Sequence, residues 1–178
     1  MPEAPFRERS DTLYNTVGNV TFPKGFTAMK ILEAKIQYTI IQLGEVQPLD
    51  RPARVVEYMT DALEEYMSQE QFWVISLDRK NKPIGRTLVT VGTATASLVH
   101  PREVFRPAIL QSATGIVCVH NHPSGDPSPS QADIRATRQL REASGTVQID
   151  LLDHIILGNR EDDPNAQGYY SFAESGLL

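Results

Sequence analysis

Three residues in this chain have types and spacing that could do chemistry together: His120, His122 and Asp133. Only Asn121 separates the histidines, and Asp133 follows a loop carrying Pro123, Pro127 and Pro129. Side chains alternate along extended backbone, so the two imidazoles project the same way if the chain stays extended through Asn121. Two neutral imidazoles and one carboxylate, with a fourth position left for water, form the ligand set of a catalytic zinc. A plainer reading uses the same residues. Ser130-x-x-Asp133 ahead of a helix is a capping signal, with Ser130 accepting from a first-turn amide and Asp133 favoured by the helix dipole. Taken alone, that pair leaves both readings open, and the histidines across the loop are what tilt it toward metal.

The local sequence says how these residues are held. Ile116 to Val119 is a short apolar run after Gly115, which predicts a buried strand with His120 at its end. The prolines and Gly125 cannot extend a ladder, so the chain must swing away. It restarts as a helix at Ser130, with Ala132, Ala136, Leu140 and Ala143 as the buried face next to Asp133. Asp133 can then face back toward the histidines.

Other elements follow from the same kind of pattern. Val55, Met59, Leu63 and Met67 recur every four residues and predict a helix from Arg51. Gln71 to Asp78 and Ile84 to Val91 predict two strands around a basic turn at Arg79, Lys80 and Lys82, and Gly92 marks a further turn before Ser97-Leu-Val. Pro101 opens a helix whose buried face is Val104, Phe105, Ala108 and Ile109. Pro107 is awkward there, costing about 3 kcal/mol unless it lies at a kink. Val147 to Leu157 predicts another strand, followed by a polar loop with Asp162, Asp163 and Pro164 and a short final segment. His100 and His154 sit beside apolar strand residues, where a lone histidine is a hydrogen-bonded structural group; His154, beside Asp153, could orient something next to the site. The order of elements implies an α/β sandwich with a mixed β-sheet and helices on both faces.

Composition bounds the rest. The 178 residues, 40% apolar and 22% charged, suit one domain plus an extension. Residues 1–49 form the extension: a polar arm to about residue 25, carrying Pro2, Pro5 and Pro23, then a strand over Lys35 to Leu43 that would edge the sheet or pair with another chain. Residues 50–178 form the domain. No signal-peptide core precedes it, and no apolar run approaches about 18 residues, so the expectation is a cytoplasmic protein with no membrane partner. Cys118 is the sole cysteine, which rules out intramolecular disulfides and cysteine zinc sites and predicts a small core residue. The net charge of -5 argues against a protein held to DNA by phosphate contacts.

His120-x-His122, seven residues, Ser130, two residues, Asp133 resembles the JAMM metalloprotease pattern of MPN (JAB) domains, and His-Asn-His-Pro-Ser-Gly-Asp-Pro resembles its bacterial RadC branch. The segments from Ser97 to Phe105, Leu151 to Gly158 and Tyr169 to Leu178 also resemble that family, so the likeness covers about residues 50 to 178. It implies a three-layer, cytidine-deaminase-like α/β sandwich. It implies Zn2+ on His120, His122 and Asp133, and Ser130 as a catalytic oxyanion stabiliser. The family also supplies a general-base glutamate from an earlier strand. Aligned over Asn81 to Thr93 its place falls at Thr87, and no acid lies between Asp78 and Glu103. A threonine hydroxyl does not take up a proton as a carboxylate does, which leaves Asp126 and Glu103 as substitutes and hydrolysis weakened.

Two functions follow from that resemblance. The first is a zinc metallopeptidase-type hydrolase of peptide or isopeptide-linked protein. The second is a weakly active or inactive metal-binding module that binds protein or DNA, with the DNA-repair association of the RadC name. Neither charge nor any helix-hairpin-helix sequence supports the DNA role. His-Glu-x-x-His and Pro-Cys-x-x-Cys are absent, which removes the commonest other zinc hydrolase patterns.

Overall fold

The computed structural model describes residues 14–17, 20–23, 37, 39, 46–63, 68–92 and 99–178. The chain divides into two compact units, Met1–Leu43 and Gly44–Leu178. In the first, β1 (Tyr14–Val17) pairs antiparallel with β2 (Val20–Pro23), Val17 opposite Val20. This corrects the expectation of a polar arm there. Tyr, Thr, Val and Phe favour a pleated strand, and Gly18-Asn19 between them is a two-residue hairpin signal that the polar flanks obscured. The strand expected over 35–43 lies outside the described residues except for Gln37 and Thr39, which are exposed and not in a strand.

The second unit is an α/β sandwich. Its elements are α1 (Pro52–Leu63), β3 (Gln71–Leu77), β4 (Pro83–Val91), α2 (Pro101–Leu110), β5 (Gly115–Asn121), α3 (Gln131–Val147), β6 (Asp150–Leu157) and β7 (Tyr169–Ser171). The strands form one mixed sheet in the order β4-β3-β5-β6-β7, with β5 and β6 parallel and the other pairs antiparallel. Strand β5 is central and buried along its whole length, which is why it reads as a continuous apolar run.

Alternation along β5 divides the core in two. Ile116 and Cys118 pack with Phe72, Val74, Val104, Phe105, Ala108 and Leu140 under α2 and α3. Val117 and Val119 pack with Val55, Met59, Ile75, Leu77 and Ile155 under α1. His120 continues the first series, so it emerges on the α2/α3 face. Cys118 is a buried core residue whose thiol is pushed up by burial.

Some expected boundaries differ. Helix α3 runs through Val147 and β6 begins only at Asp150, because Gln148 closes the helix in a left-handed conformation and Val147 belongs to the last turn. Ile109, expected in the core, is 56% exposed on the outer side of α2. Helix α2 tolerates Pro107 three residues before its end, where the Pro107 carbonyl accepts from Gln111 N–H at 3.0 Å. Met67 and Ser97-Leu98 lie outside the described residues. Among the described residues, no helix is long and apolar enough to cross a membrane.

Candidate metal centre

The C-terminal end of β5 delivers His120 at the last rung of its ladder with β3, where it faces Phe72, and His122 just past the strand. Asp133 arrives in the first turn of α3, and the ligand atoms of His120, His122 and Asp133 fall within 4.8 Å of one another. His120 Nε2 is 3.4 Å from Asp133 Oδ1, and His122 Nε2 is 3.7 Å from Asp133 Oδ2. The structure thus brings together the three residues singled out by spacing.

A fourth residue completes the cluster. Glu70, one position before β3, brings a carboxylate oxygen to 4.0 Å from His120 Nε2 and within the same 4.8 Å group. The alignment at Thr87 does not lead to this acid. Thr87 lies on edge strand β4 opposite Val74, one strand further from β5 than β3 is. The proposed substitutes are engaged elsewhere: Glu103 pairs with Arg102 and Arg106, and the Asp126 carboxylate accepts from Ser128 N–H at 2.8 Å. The alignment at Thr87 points to the second strand of the hairpin, while this carboxylate stands before the first. Period two was the available signal, since Glu70 shares the parity of Phe72, which in turn faces His120.

Hydrogen bonds set the state of both imidazoles. His122 Nδ1 lies 2.8 Å from the Asp126 carbonyl, which can only accept, so Nδ1 carries the proton and a neutral ring leaves Nε2 bare. His120 is fixed through a longer chain. Thr137 Oγ1 donates to the Asp133 carbonyl at 2.7 Å, so its oxygen accepts from His154 Nδ1, also at 2.7 Å. His154 Nε2 then accepts from His120 Nδ1 at 2.8 Å, and His120 Nε2 is bare as well. His154 and Thr137, both buried, are thus linked to His120; the sequence named the first only as an orienting group and the second not at all. His100, at the start of α2, makes no side-chain cap and is exposed.

Charge and burial agree with those proton positions. Burial pushes His154 down to about 4 and His120 well below its usual value, so both rings stay neutral. They are packed between aromatic rings, His154 stacked on Phe172 at 5.0 Å and His120 on Phe72 at 5.9 Å. Burial also lowers His122, but its bonds to Asp133 and the Asp126 backbone outweigh this and raise it overall. For Asp133, burial raises the pKa, yet bonds from His122 and Ser130 hold the carboxyl below the usual range.

These residues fit a divalent metal ion on a specific point. The Nε2 atoms of His120 and His122 are 3.1 Å apart, and with both rings neutral two lone pairs face each other there. Only a shared cation relieves that repulsion, a proton on His122 in the metal-free chain or a metal ion in its place. Two carboxylates beside two neutral imidazoles offer the charge that a divalent ion needs.

Ser130 is the N-cap of α3, and the plainer reading of it holds in the geometry. Its Oγ accepts from Asp133 N–H at 3.2 Å, its own N–H donates to Asp133 Oδ2 at 2.7 Å, and its hydroxyl donates to the same oxygen at 2.6 Å. The cap therefore also pins the carboxylate that faces the histidines.

A partly buried Glu/His/His/Asp cluster on a mixed-sheet α/β sandwich defines a domain with a candidate metal site at the end of its central strand. The chain belongs to the RadC family: the RadC-like JAB domain matches residues 49–177. It is 40% identical over 168 residues to a UPF0758 protein of Pelobacter propionicus, covering 91% of this chain and 70% of that one. It is 49% identical over 124 residues to a UPF0758 protein of Pelodictyon phaeoclathratiforme, covering 70% of this chain and 52% of that one. A UPF0758 protein of Geobacillus thermodenitrificans is 51% identical over 113 residues, 64% of this chain and 47% of its own. The chain spans about half the length of most of these curated relatives.

Proposed function

We propose that this chain is a zinc-dependent hydrolase that cleaves an amide or isopeptide bond in a protein substrate, within the cytoplasm. The observation that carries the proposal is Glu70, a carboxylate placed in the same cluster as His120, His122 and Asp133. His120, His122 and Asp133 would hold the ion, and Glu70, farther off at 4.0 Å from His120, is left for proton transfer. When bound, zinc supplies a Lewis acid and lowers the pKa of a coordinated water to about 7.

The residues of the chain do the rest. Glu70 accepts the proton of the attacking water and returns it to the leaving nitrogen, the work of a general base and then a general acid. Ser130, by turning its hydroxyl away from Asp133, donates to the oxyanion formed at the scissile carbonyl. His154 and Thr137 hold His120 in the tautomer that leaves Nε2 free, and the Asp126 carbonyl does the same for His122.

The test is turnover of internally quenched peptides and of an isopeptide-linked reporter by the zinc-loaded chain. Hydrolysis lost on chelation and regained with zinc supports the proposal. Zinc-loaded protein that cleaves neither reporter favours the second reading, a metal-binding module without catalysis.

A further inference from the structure

The ladder between β3 and β5 stops at the pair Phe72 and His120. Beyond it β5 turns to β6, where His122 N–H donates to the Leu157 carbonyl at 2.8 Å. Among the described residues, no main-chain rung of the β3–β5 ladder follows that pair.

A side chain takes over that role. Asn121 Oδ1 accepts from Gln71 N–H at 2.9 Å, and Asn121 Nδ2 donates to the Gln69 carbonyl at 3.0 Å. These groups belong to the two peptide units that flank Glu70. From the other side, Gly92 N–H donates to the Glu70 carbonyl at 2.9 Å. Asn121 is buried, so neither of its bonds is readily replaced by solvent. A primary amide is suited to the task because it presents an acceptor and a donor together; a carboxylate of the same length presents acceptors alone.

We propose that Asn121 is a positioning residue for Glu70, clamping the Gln69 to Gln71 backbone so that the base is set in the same frame as His120 and His122, its own neighbours in sequence. This rests on the reading of Glu70 as the base. A catalytic group displaced by about 1 Å can lose roughly 100-fold in rate, so the clamp acts on turnover without touching substrate.

The test compares Asn121→Ala, Asn121→Asp, Glu70→Gln and the double variant Asn121→Ala/Glu70→Gln in the full chain. The Asn121→Asp variant keeps side-chain length and the acceptor for Gln71, so it serves if Asn121→Ala folds poorly. In the metal-free chain, amide exchange at Gln71 should speed by about tenfold or more in Asn121→Ala while Val74 and Val119 in the β3–β5 ladder keep their protection. In the zinc-loaded chain, turnover of a quenched peptide should fall by about 10- to 100-fold in kcat with KM and zinc affinity unchanged. The double variant should be no slower than Glu70→Gln, because a misplaced base and an absent one fail at the same step. Unchanged exchange at Gln71, unchanged kcat, or losses that multiply in the double variant would each overturn the positioning role. A Glu70→Gln chain as fast as wild type overturns the base assignment itself, and is told apart from failure of the clamp alone, where Glu70→Gln is slow and Asn121→Ala is not.

Discussion

His120 Nδ1 lies 2.8 Å from His154 Nε2, and through Thr137 this contact runs back to the backbone carbonyl of Asp133. Two of the candidate ligands are therefore joined by a buried chain of hydrogen bonds whose direction is set by a group that can only accept. Replacing His154 by Phe keeps a ring between Phe72 and Phe172 but removes the acceptor for His120 Nδ1. Zinc affinity, measured by competition with a chromophoric chelator, should drop by about 10- to 100-fold. Thr137→Val should move it in the same direction by less. Unchanged affinity in both would mean that the chain of bonds does not tune the site.

The same burial makes the metal-free protein acid-sensitive. The unfolded chain takes up a proton on His154 near pH 6.5, whereas in the fold burial delays it to about 4. The unfolded state thus binds more protons in that window, and stability falls as pH drops from about 6.5 to about 4, by roughly 3 kcal/mol for His154. His120, pushed down by burial and by His154, adds to the same limb. His122 has the opposite sign: its raised value stabilises the fold below pH 6.5 and that contribution is lost as pH climbs through it. Urea unfolding of chelator-treated protein across pH 4 to 7 should show the acid limb, and His154→Phe should flatten it. An equal slope in that variant would contradict the assignment.

Ser130 separates its two roles in one substitution. Loss of the cap in Ser130→Ala should cost about 1 kcal/mol of stability. If Ser130 also serves the oxyanion, turnover by the folded, zinc-loaded fraction should fall by roughly 100-fold or more. A loss no larger than the unfolded fraction explains would leave only the cap and the pinning of Asp133.

Gly158 shapes the site from a distance. A Cβ there would collide with the Gly125 carbonyl and sit 2.8 Å from Pro127 Cδ, in the loop whose Asp126 carbonyl holds His122. The Gly158→Ala variant should therefore lose about 1–3 kcal/mol of stability and bind zinc more weakly. A stable variant with wild-type zinc affinity would show that the loop gives way without moving His122.

Much of this was legible in the sequence, and the misses have physical causes. His120 and Asp133 could be placed because a short apolar strand runs up to one and a helix capped at Ser130 begins just before the other. Ser130 could be read as a cap from its spacing, and its geometry is that of a cap. Glu70 was missed because it sits one residue outside the regular strand, where its parity with Phe72 is the one signal. Thr137 was overlooked for another reason: on α3 it stands next to Ala136, and a threonine on a buried helix face reads as packing until the partner 17 residues on, His154, is known. The clamp by Asn121 joins residues 50 apart in sequence, which no local pattern reveals.

The central claim is that Glu70, His120, His122 and Asp133 form one catalytic metal site. The most direct measurement is zinc content and reporter turnover on the same preparations of wild type and Glu70→Gln. The account predicts one zinc per chain in both, and a kcat lower by about 100- to 10,000-fold in the variant, the usual worth of a general base. A wild type that takes up no zinc, or a zinc-loaded Glu70→Gln chain that turns over as fast as wild type, would contradict it.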